Sequence, residues 1–423
     1  MPRSTTLEVE IAALSGRGEG IAESPKGRLY VPGTVPGDRV EVRLGPKGRE
    51  GEVAEMIALL APGPDRVKVA CAHFFLCGGC ALQGLAPPAY AAWKRDRVAV
   101  ALARQGLGAA PLAPLVAIPP GDRRRADLVA RRVGERVLIG FHRRKSHMIV
   151  DIGECPVLDP ALVGLLPGLR EVLAAVLASG AAVDCKATKT ASGIDLVIVG
   201  DLALTLDRRE LLFAFAETAD LARLAVRNVA ADLLDPIAIR RSPEIRFDDV
   251  VVDFPPAAFL QASPAAEAVL VAEVTAALAG ARRVADLYAG LGAFALPLSA
   301  AASVRAIEGD AAAAAALRRG AARAGRRIAV ETRDLARRPL SASELDGCDA
   351  VVFDPPRIGA KEQTGEIARS KVPLVAAISC APASFARDAR ILIEGGYRLQ
   401  RVVPVDQFVW SSEVEIFALF LRN

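Results

Sequence analysis

Cys380 follows the apolar run Leu374 to Ile378 and Ser379, and it precedes Ala381-Pro382. A thiol at the carboxyl end of a buried strand in a doubly wound sheet sits in the ligand crevice, and as a thiolate it can attack an electron-poor carbon. A cysteine after an apolar run is, taken alone, more often a small buried hydrophobe. Carboxylates stand at comparable places. Asp286-Leu-Tyr-Ala-Gly290-Leu-Gly292 reads as a strand end and a glycine turn that opens a helix, where such folds bind nucleotides. The third glycine of a dinucleotide fingerprint is missing, which suits adenosylmethionine, a ligand with no pyrophosphate to cradle. Glu308 ends the next strand, and a carboxylate there can accept both hydroxyls of a ribose. Asp334 ends a third strand, placed either for the adenine region or as a helix N-cap. Asp354-Pro-Pro-Arg357 closes a fourth strand, and its two prolines force an extended loop without free N–H groups.

A second chemistry rests on Cys71, Cys77, Cys80 and Cys155, which fall in Cys71-x5-Cys77-Gly-Gly-Cys80 and in Gly-Glu-Cys155-Pro. Four thiolates suit zinc or an iron–sulfur cluster. Zinc usually takes paired C-x2-C knuckles, and one is present here; His73 is a competing ligand. Cys185 and Cys348 read as ordinary buried cysteines. Seven cysteines, an odd count, argue against a disulfide framework.

The elements that must position these groups divide the chain in three. Residues 1–62 hold short β-leaning runs between Gly- and Pro-rich turns, which predicts a small OB-like β-barrel of the kind used for oligonucleotides. Residues 63–240 are mixed α+β and carry the cysteine knot. Residues 241–423 alternate apolar strands with Ala-rich helices, which predicts an α/β, Rossmann-like parallel sheet.

Taken together, Phe259 to Gln261, the Asp286 to Gly292 loop, Glu308, Asp354 to Arg357, Ser379 to Pro382 and Val414-Glu415 resemble the RNA uracil carbon-5 methyltransferase family. The Cys77-Gly-Gly-Cys80-x-Leu82-Gln83 stretch is similar to its iron–sulfur, 23S rRNA branch. The resemblance implies Cys380 as the nucleophile and Glu415 as the base. It implies Gln261, Tyr288, Glu308, Asp354 and Asp334 around S-adenosyl-L-methionine, and a 4Fe-4S cluster on Cys71, Cys77, Cys80 and Cys155. The first 62 residues then correspond to an RNA-binding TRAM module, and Asp122 to Ala126, Gly140-Phe141 and Ser146-His147 track the central domain. An RNA partner follows, rRNA in preference to tRNA, with no obligate protein partner. Three positions depart from the pattern: Ala381 stands where Asn is usual, Glu413 where His is frequent, and Ala293 where Asn is frequent.

Composition narrows the remaining choices. A chain of 423 residues with 52% hydrophobic and 24% charged residues fits a multi-domain globular protein. No apolar run reaches the roughly 20 residues that span a bilayer, and the first residues lack the plan of a signal peptide, so the expected address is cytoplasmic. The net charge of +4 carries no argument for nucleic acid. Arg123 to Arg125, Arg131, Arg132 and Arg143 to Lys145 suggest a basic face, against the plainer reading of solvated charge. Two rival functions stand. One is methylation of an exocyclic base amine, which calls for an aromatic ring where Arg357 stands. The other is a non-catalytic RNA-binding iron–sulfur protein, which has no use for Cys380 and Glu415.

Overall fold

The computed structural model describes residues 6–25, 27–47 and 51–422; residues 1–5, 26 and 48–50 of the expected barrel and Asn423 lie outside the described residues. Strands in the first region form a six-stranded sheet in the order Thr6–Glu10, Arg39–Lys47, Glu52–Ala61, Gly27–Val31, Gly20–Ser24 and Ala13–Leu14. It curls so that Thr6–Glu10 packs against Gly20–Ser24. Alternating residues, among them Val9, Leu29, Val31, Val40 and Val42, point into one small core, as the two-residue period of a half-buried strand requires. Asp38 locks the outlet: it is fully buried, and its carboxylate accepts from the Val35 and Gly63 amides and from Arg66.

The middle of the chain builds a seven-stranded sheet from Arg125–Val133 to Leu233–Ile239. Helices Leu166–Val176 and Leu206–Thr218 cover it over a core that includes Cys185, which is buried as expected.

The site is organised by the C-terminal sheet. Its strands are β1 (Arg283–Leu287), β2 (Ser303–Glu308), β3 (Ile328–Thr332), β4 (Ala350–Phe353), β5 (Leu374–Ser379), β6 (Tyr397–Val405) and β7 (Glu415–Arg422). Their spatial order is β3-β2-β1-β4-β5-β7-β6. β1 to β5 are parallel, and β7 runs antiparallel between β5 and β6. Helices on both faces bury these strands, which accounts for their unbroken apolar runs. The order reverses between β1 and β4, which opens a crevice at their carboxyl ends. The Rossmann-like α/β expectation is met.

One segment packs elsewhere than its place in the chain suggests. Helix Pro87–Arg104 lies against helix Pro382–Glu394, with Val98 and Leu102 in the core beneath the C-terminal sheet. The chain after it pairs Leu112 with Val402 and Val116 with Val405. By packing, residues 87–118 belong to the C-terminal sheet although they precede the central one.

Candidate active site

The carboxyl ends of β1, β2, β4 and β5 and the amino end of β7 converge on one cavity of about 1020 Å3. The antiparallel strand is what brings a carboxylate to this edge. Pairing of Ser379 with Ile416 puts Cys380, one residue past the end of β5, beside Glu415, the first residue of β7. A parallel strand in that place would present its carboxyl end there instead. Helix Pro382–Glu394 starts at once with proline in its first turn, so Cys380 is held in a short connection at the cavity wall.

Glu415 is buried, and Gln407 Nε2 donates to its Oε2 at 2.7 Å. The same nitrogen donates to Gln261 Oε1 at 2.8 Å, and Gln261 Nε2 donates to Asp354 Oδ2 at 2.7 Å. An amide chain thus runs from the end of β4 to the start of β7. Burial, with the charge of Asp354 adding, pushes the Glu415 carboxyl well above the usual carboxylate range. Burial pushes Asp354 up to about 7. The Cys380 thiol is pushed up to about 12 by burial and then by the charges of Glu415 and Asp354, while Arg357 pulls it down. Arg357 is ion-paired with Glu413, so the acid that departs from the family pattern holds the cation next to the thiol.

At the other end of the cavity, Tyr288 adopts a left-handed conformation, φ 62°. That geometry costs a non-glycine residue about 1–3 kcal/mol and concentrates at functional sites. Gly292 follows with φ 98°, a left-handed conformation that favours glycine, and a Cβ there would stand 2.4 Å from Leu317 Cδ1, so a side chain would also displace that leucine. Glu308 accepts the Gly290 and Asp310 amides, one on each oxygen, both at 2.7 Å. Each oxygen keeps a lone pair for a further donor. Asp334 lines the cavity, and its carboxylate accepts the Ala336 amide at 2.9 Å, closing a turn at 335–337 rather than capping a helix.

Cys71, Cys77, Cys80 and Cys155 line the same cavity. They are free thiols, and the charge of Cys155 reaches each of the other three. Among the described residues no three His, Cys, Asp or Glu side chains converge closely enough for a single metal ion. Gly78 fits against the His142 carbonyl, 2.9 Å from where its Cβ would be, which explains the glycine after Cys77. The Gly79 amide donates to Cys77 Sγ at 3.4 Å. Gln83 lies beside Cys80, and its buried Nε2 has no partner. Gln83 Nε2 is thus a spare donor beside Cys80.

One expectation changes. Arg124 is no part of a basic face: it is buried, ion-paired with Glu267 at 2.6 Å and bonded to the Gln261 carbonyl at 3.0 Å. Arg125 donates to the Leu260 carbonyl and lies over the exposed Phe259 ring, and Arg144 reaches the Cys80 carbonyl. Arg124 and Arg125 therefore tie the central sheet to the segment carrying Gln261, while Arg131, Arg143 and Lys145 stay exposed. Sequence reasoning also missed Gln407, Tyr90, Lys94 and Asp406. Lys94 is wholly buried. Its Nζ donates to Asp406 Oδ1 at 2.7 Å and to the carbonyls of Phe408 and Glu413 at 2.9 and 2.5 Å. The Tyr90 hydroxyl donates to Asp406 Oδ2 and accepts the Trp410 amide. The polar pair Asp406-Gln407 ending an apolar strand was the signal available.

An uncharacterized RNA methyltransferase of Brucella suis is 44% identical to this chain over 425 residues, which cover 100% of each. The 23S rRNA (uracil(1939)-C(5))-methyltransferase of Halomonas elongata is 33% identical over 431 residues, covering 97% of this chain and 89% of that protein. The chain belongs to the RNA methyltransferase family. Among solved structures, the methyltransferase fold is shared with the Pyrococcus abyssi tRNA (uracil-54, C5)-methyltransferase in complex with S-adenosyl-L-homocysteine. The TM-score is 0.77 at 23% identity, with 98% of this chain and 99% of that one covered. No family model matches the chain. Among the described residues no helix is long and apolar enough to cross a membrane.

Proposed function

We propose that this methyltransferase transfers the methyl group of S-adenosyl-L-methionine to carbon 5 of a uridine in 23S rRNA through a covalent Cys380 adduct. The observation that carries the reading is the juxtaposition of a thiol and a buried carboxylate, Cys380 and Glu415, at the crevice edge of β5 and β7. Tyr288, Glu308, Asp334, Asp354 and Gln261, on the walls of the same cavity, hold the cofactor, with Glu308 taking the ribose hydroxyls. Bound adenosylmethionine supplies an electrophilic methyl group, and its positive charge opposes the two carboxylates that keep the thiol protonated.

Carbon 5 of uracil is a poor nucleophile. Addition of the Cys380 thiolate to carbon 6 forms a sulfur–carbon bond and shifts the ring's 5,6 π pair into an enolate. Carbon 5 then takes the methyl group, and the old methyl–sulfur pair stays on the departing thioether. Glu415 removes the carbon-5 proton. That C–H pair re-forms the 5,6 double bond, and the carbon–sulfur pair leaves on Cys380. A carboxylate serves as the base because its desolvated pocket raises its proton affinity. Reaching carbon 5 requires the base to be flipped from its stack.

The choice of 23S rRNA is supported by the 33% identity to the Halomonas enzyme. We also assign a 4Fe-4S cluster to Cys71, Cys77, Cys80 and Cys155, supported by the four thiols lining one cavity, the Gly79 amide that donates to Cys77 Sγ and the unpartnered Gln83 Nε2 beside Cys80. Incubation with methyl-labelled cofactor and ribosomal RNA, followed by nucleoside mass analysis, tests the function. Labelled 5-methyluridine that disappears with Cys380→Ala is expected. Label in an exocyclic amine would replace the reading with the rival class.

A further inference from the structure

We propose that Gln407 is the positioning residue for Glu415, an amide bridge that fixes the base and ties it to the Gln261–Asp354 pair on the cofactor side. The proposal rests on the reading of Cys380 as nucleophile and Glu415 as base. Polarity along the chain of amides is set from its Asp354 end when that carboxyl is ionised. Its oxygens then only accept, so Gln261 turns its Nε2 toward Asp354 and presents its Oε1 to Gln407. Gln407 must answer with Nε2, whose two hydrogens are then both used, one on Gln261 Oε1 and one on Glu415 Oε2. Glu415 Oε1 is left buried without a partner, as is Gln407 Oε1, and that unbonded Glu415 oxygen is assigned to the carbon-5 proton. Gln407 is itself buried, which strengthens the hydrogen bonds its amide makes.

The bridge also sets the charge on the base. The ionisable groups facing Glu415 are Asp354 from the end of β4 and Cys380 from the end of β5, and Arg357 faces the thiol. The carboxylate and the burial raise the proton affinity of Glu415, and the Gln407 hydrogen bond is what lowers it. Loss of that donor makes Glu415 harder to ionise, so the acid limb of activity moves to higher pH. Only proton removal needs Glu415. Thiolate addition and methylation precede it, so a defect at Gln407 leaves RNA methylated but still attached to Cys380.

The test compares full-length wild type, Gln407→Met, which keeps the volume without a donor, and Gln407→Glu, which is isosteric and repels Glu415 when ionised. With ordinary RNA and adenosylmethionine, both variants are expected to accumulate a denaturation-resistant adduct carrying one transferred methyl. Release should be slowed about 10- to 100-fold, the value of one charge-assisted buried hydrogen bond, and for Gln407→Met the acid limb should shift upward. Adduct formation on 5-fluorouridine RNA should persist in both, because it does not involve proton removal. Wild type that forms no adduct on 5-fluorouridine RNA would defeat the underlying reading instead. Variants that react with the fluorinated RNA yet release ordinary product at the wild-type rate, with an unshifted pH profile, would overturn the role of Gln407. If Gln407→Met fails to bind cofactor, the Gln407→Glu result decides.

Discussion

Replacing Lys94 with methionine should cost this protein about 3–5 kcal/mol, the range for stripping one partner from a buried ion pair. The lysine side chain is 0% exposed and its partner Asp406 is 2% exposed. Lys94→Met removes three donated hydrogen bonds at once and leaves the Asp406 carboxylate with the Tyr90 hydroxyl as its remaining side-chain donor. Burial already pulls the Lys94 ammonium below its ordinary range. The intact pair is therefore a poor source of net stability, and the penalty comes from the uncompensated charge left behind. A chain built on several sheets does not unfold in one step, so the assay must read this junction. The protein has two tryptophans: Trp93 lies on the same helix as Lys94 and Trp410 on the loop that it holds. Urea titration followed by tryptophan fluorescence is therefore a local probe. Lys94→Met/Asp406→Leu, which removes both charges, is expected to recover at least half of the loss. A single variant costing under about 1 kcal/mol, or a double variant as unstable as the single, would refute the argument.

Further outcomes follow from the same geometry. In the free enzyme, alkylation of Cys380 by iodoacetamide should climb with pH beyond 9 without a plateau, since its thiol is pushed up to about 12. Removing a negative neighbour lowers that value, so Glu415→Gln should label faster at fixed pH, whereas loss of the cation in Arg357→Ala should label slower; a plateau below pH 8 would contradict the picture. Gly292→Ala must accommodate a Cβ at 2.4 Å from Leu317 and a left-handed backbone. It should weaken adenosylmethionine binding at least about tenfold in calorimetry, with a stability loss of about 1–3 kcal/mol; unchanged affinity would show that the turn tolerates a side chain. Protein purified without oxygen should hold iron and sulfide and absorb visible light, and Cys80→Ser should lose that absorbance. Stoichiometric zinc in place of iron would remove the cluster assignment.

The sequence makes groups legible where short stretches carry them. Cys380, Glu308 and Asp354 are each fixed by one strand end, and the parallel sheet follows from apolar runs alternating with Ala-rich helices. What long-range contacts decide was not legible. Lys94 carries no local sign of burial until its helix docks on a loop more than half the chain away. Arg124 reads as part of a basic face, yet it is consumed by Glu267 and the Gln261 carbonyl. Gln407 gives no local sign that its amide spans two strand ends, because its role depends on β7 being inserted antiparallel between β5 and β6. Composition carries no information about that insertion. The same strand order sets Glu415 next to Cys380, so the motif and the topology agree there for independent reasons.

The most direct test of the central claim is a trapping experiment. Purified protein is mixed with adenosylmethionine and RNA containing 5-fluorouridine, then denatured and resolved, with Cys380→Ala alongside. Fluorine at carbon 5 leaves no proton for Glu415 to remove, so a covalent protein–RNA species that survives denaturation is expected with the wild type and not with the variant. Its mass should equal protein plus RNA plus one methyl group. Wild-type protein that binds cofactor and RNA but forms no such species, or a variant that still forms it, would contradict Cys380 as the nucleophile.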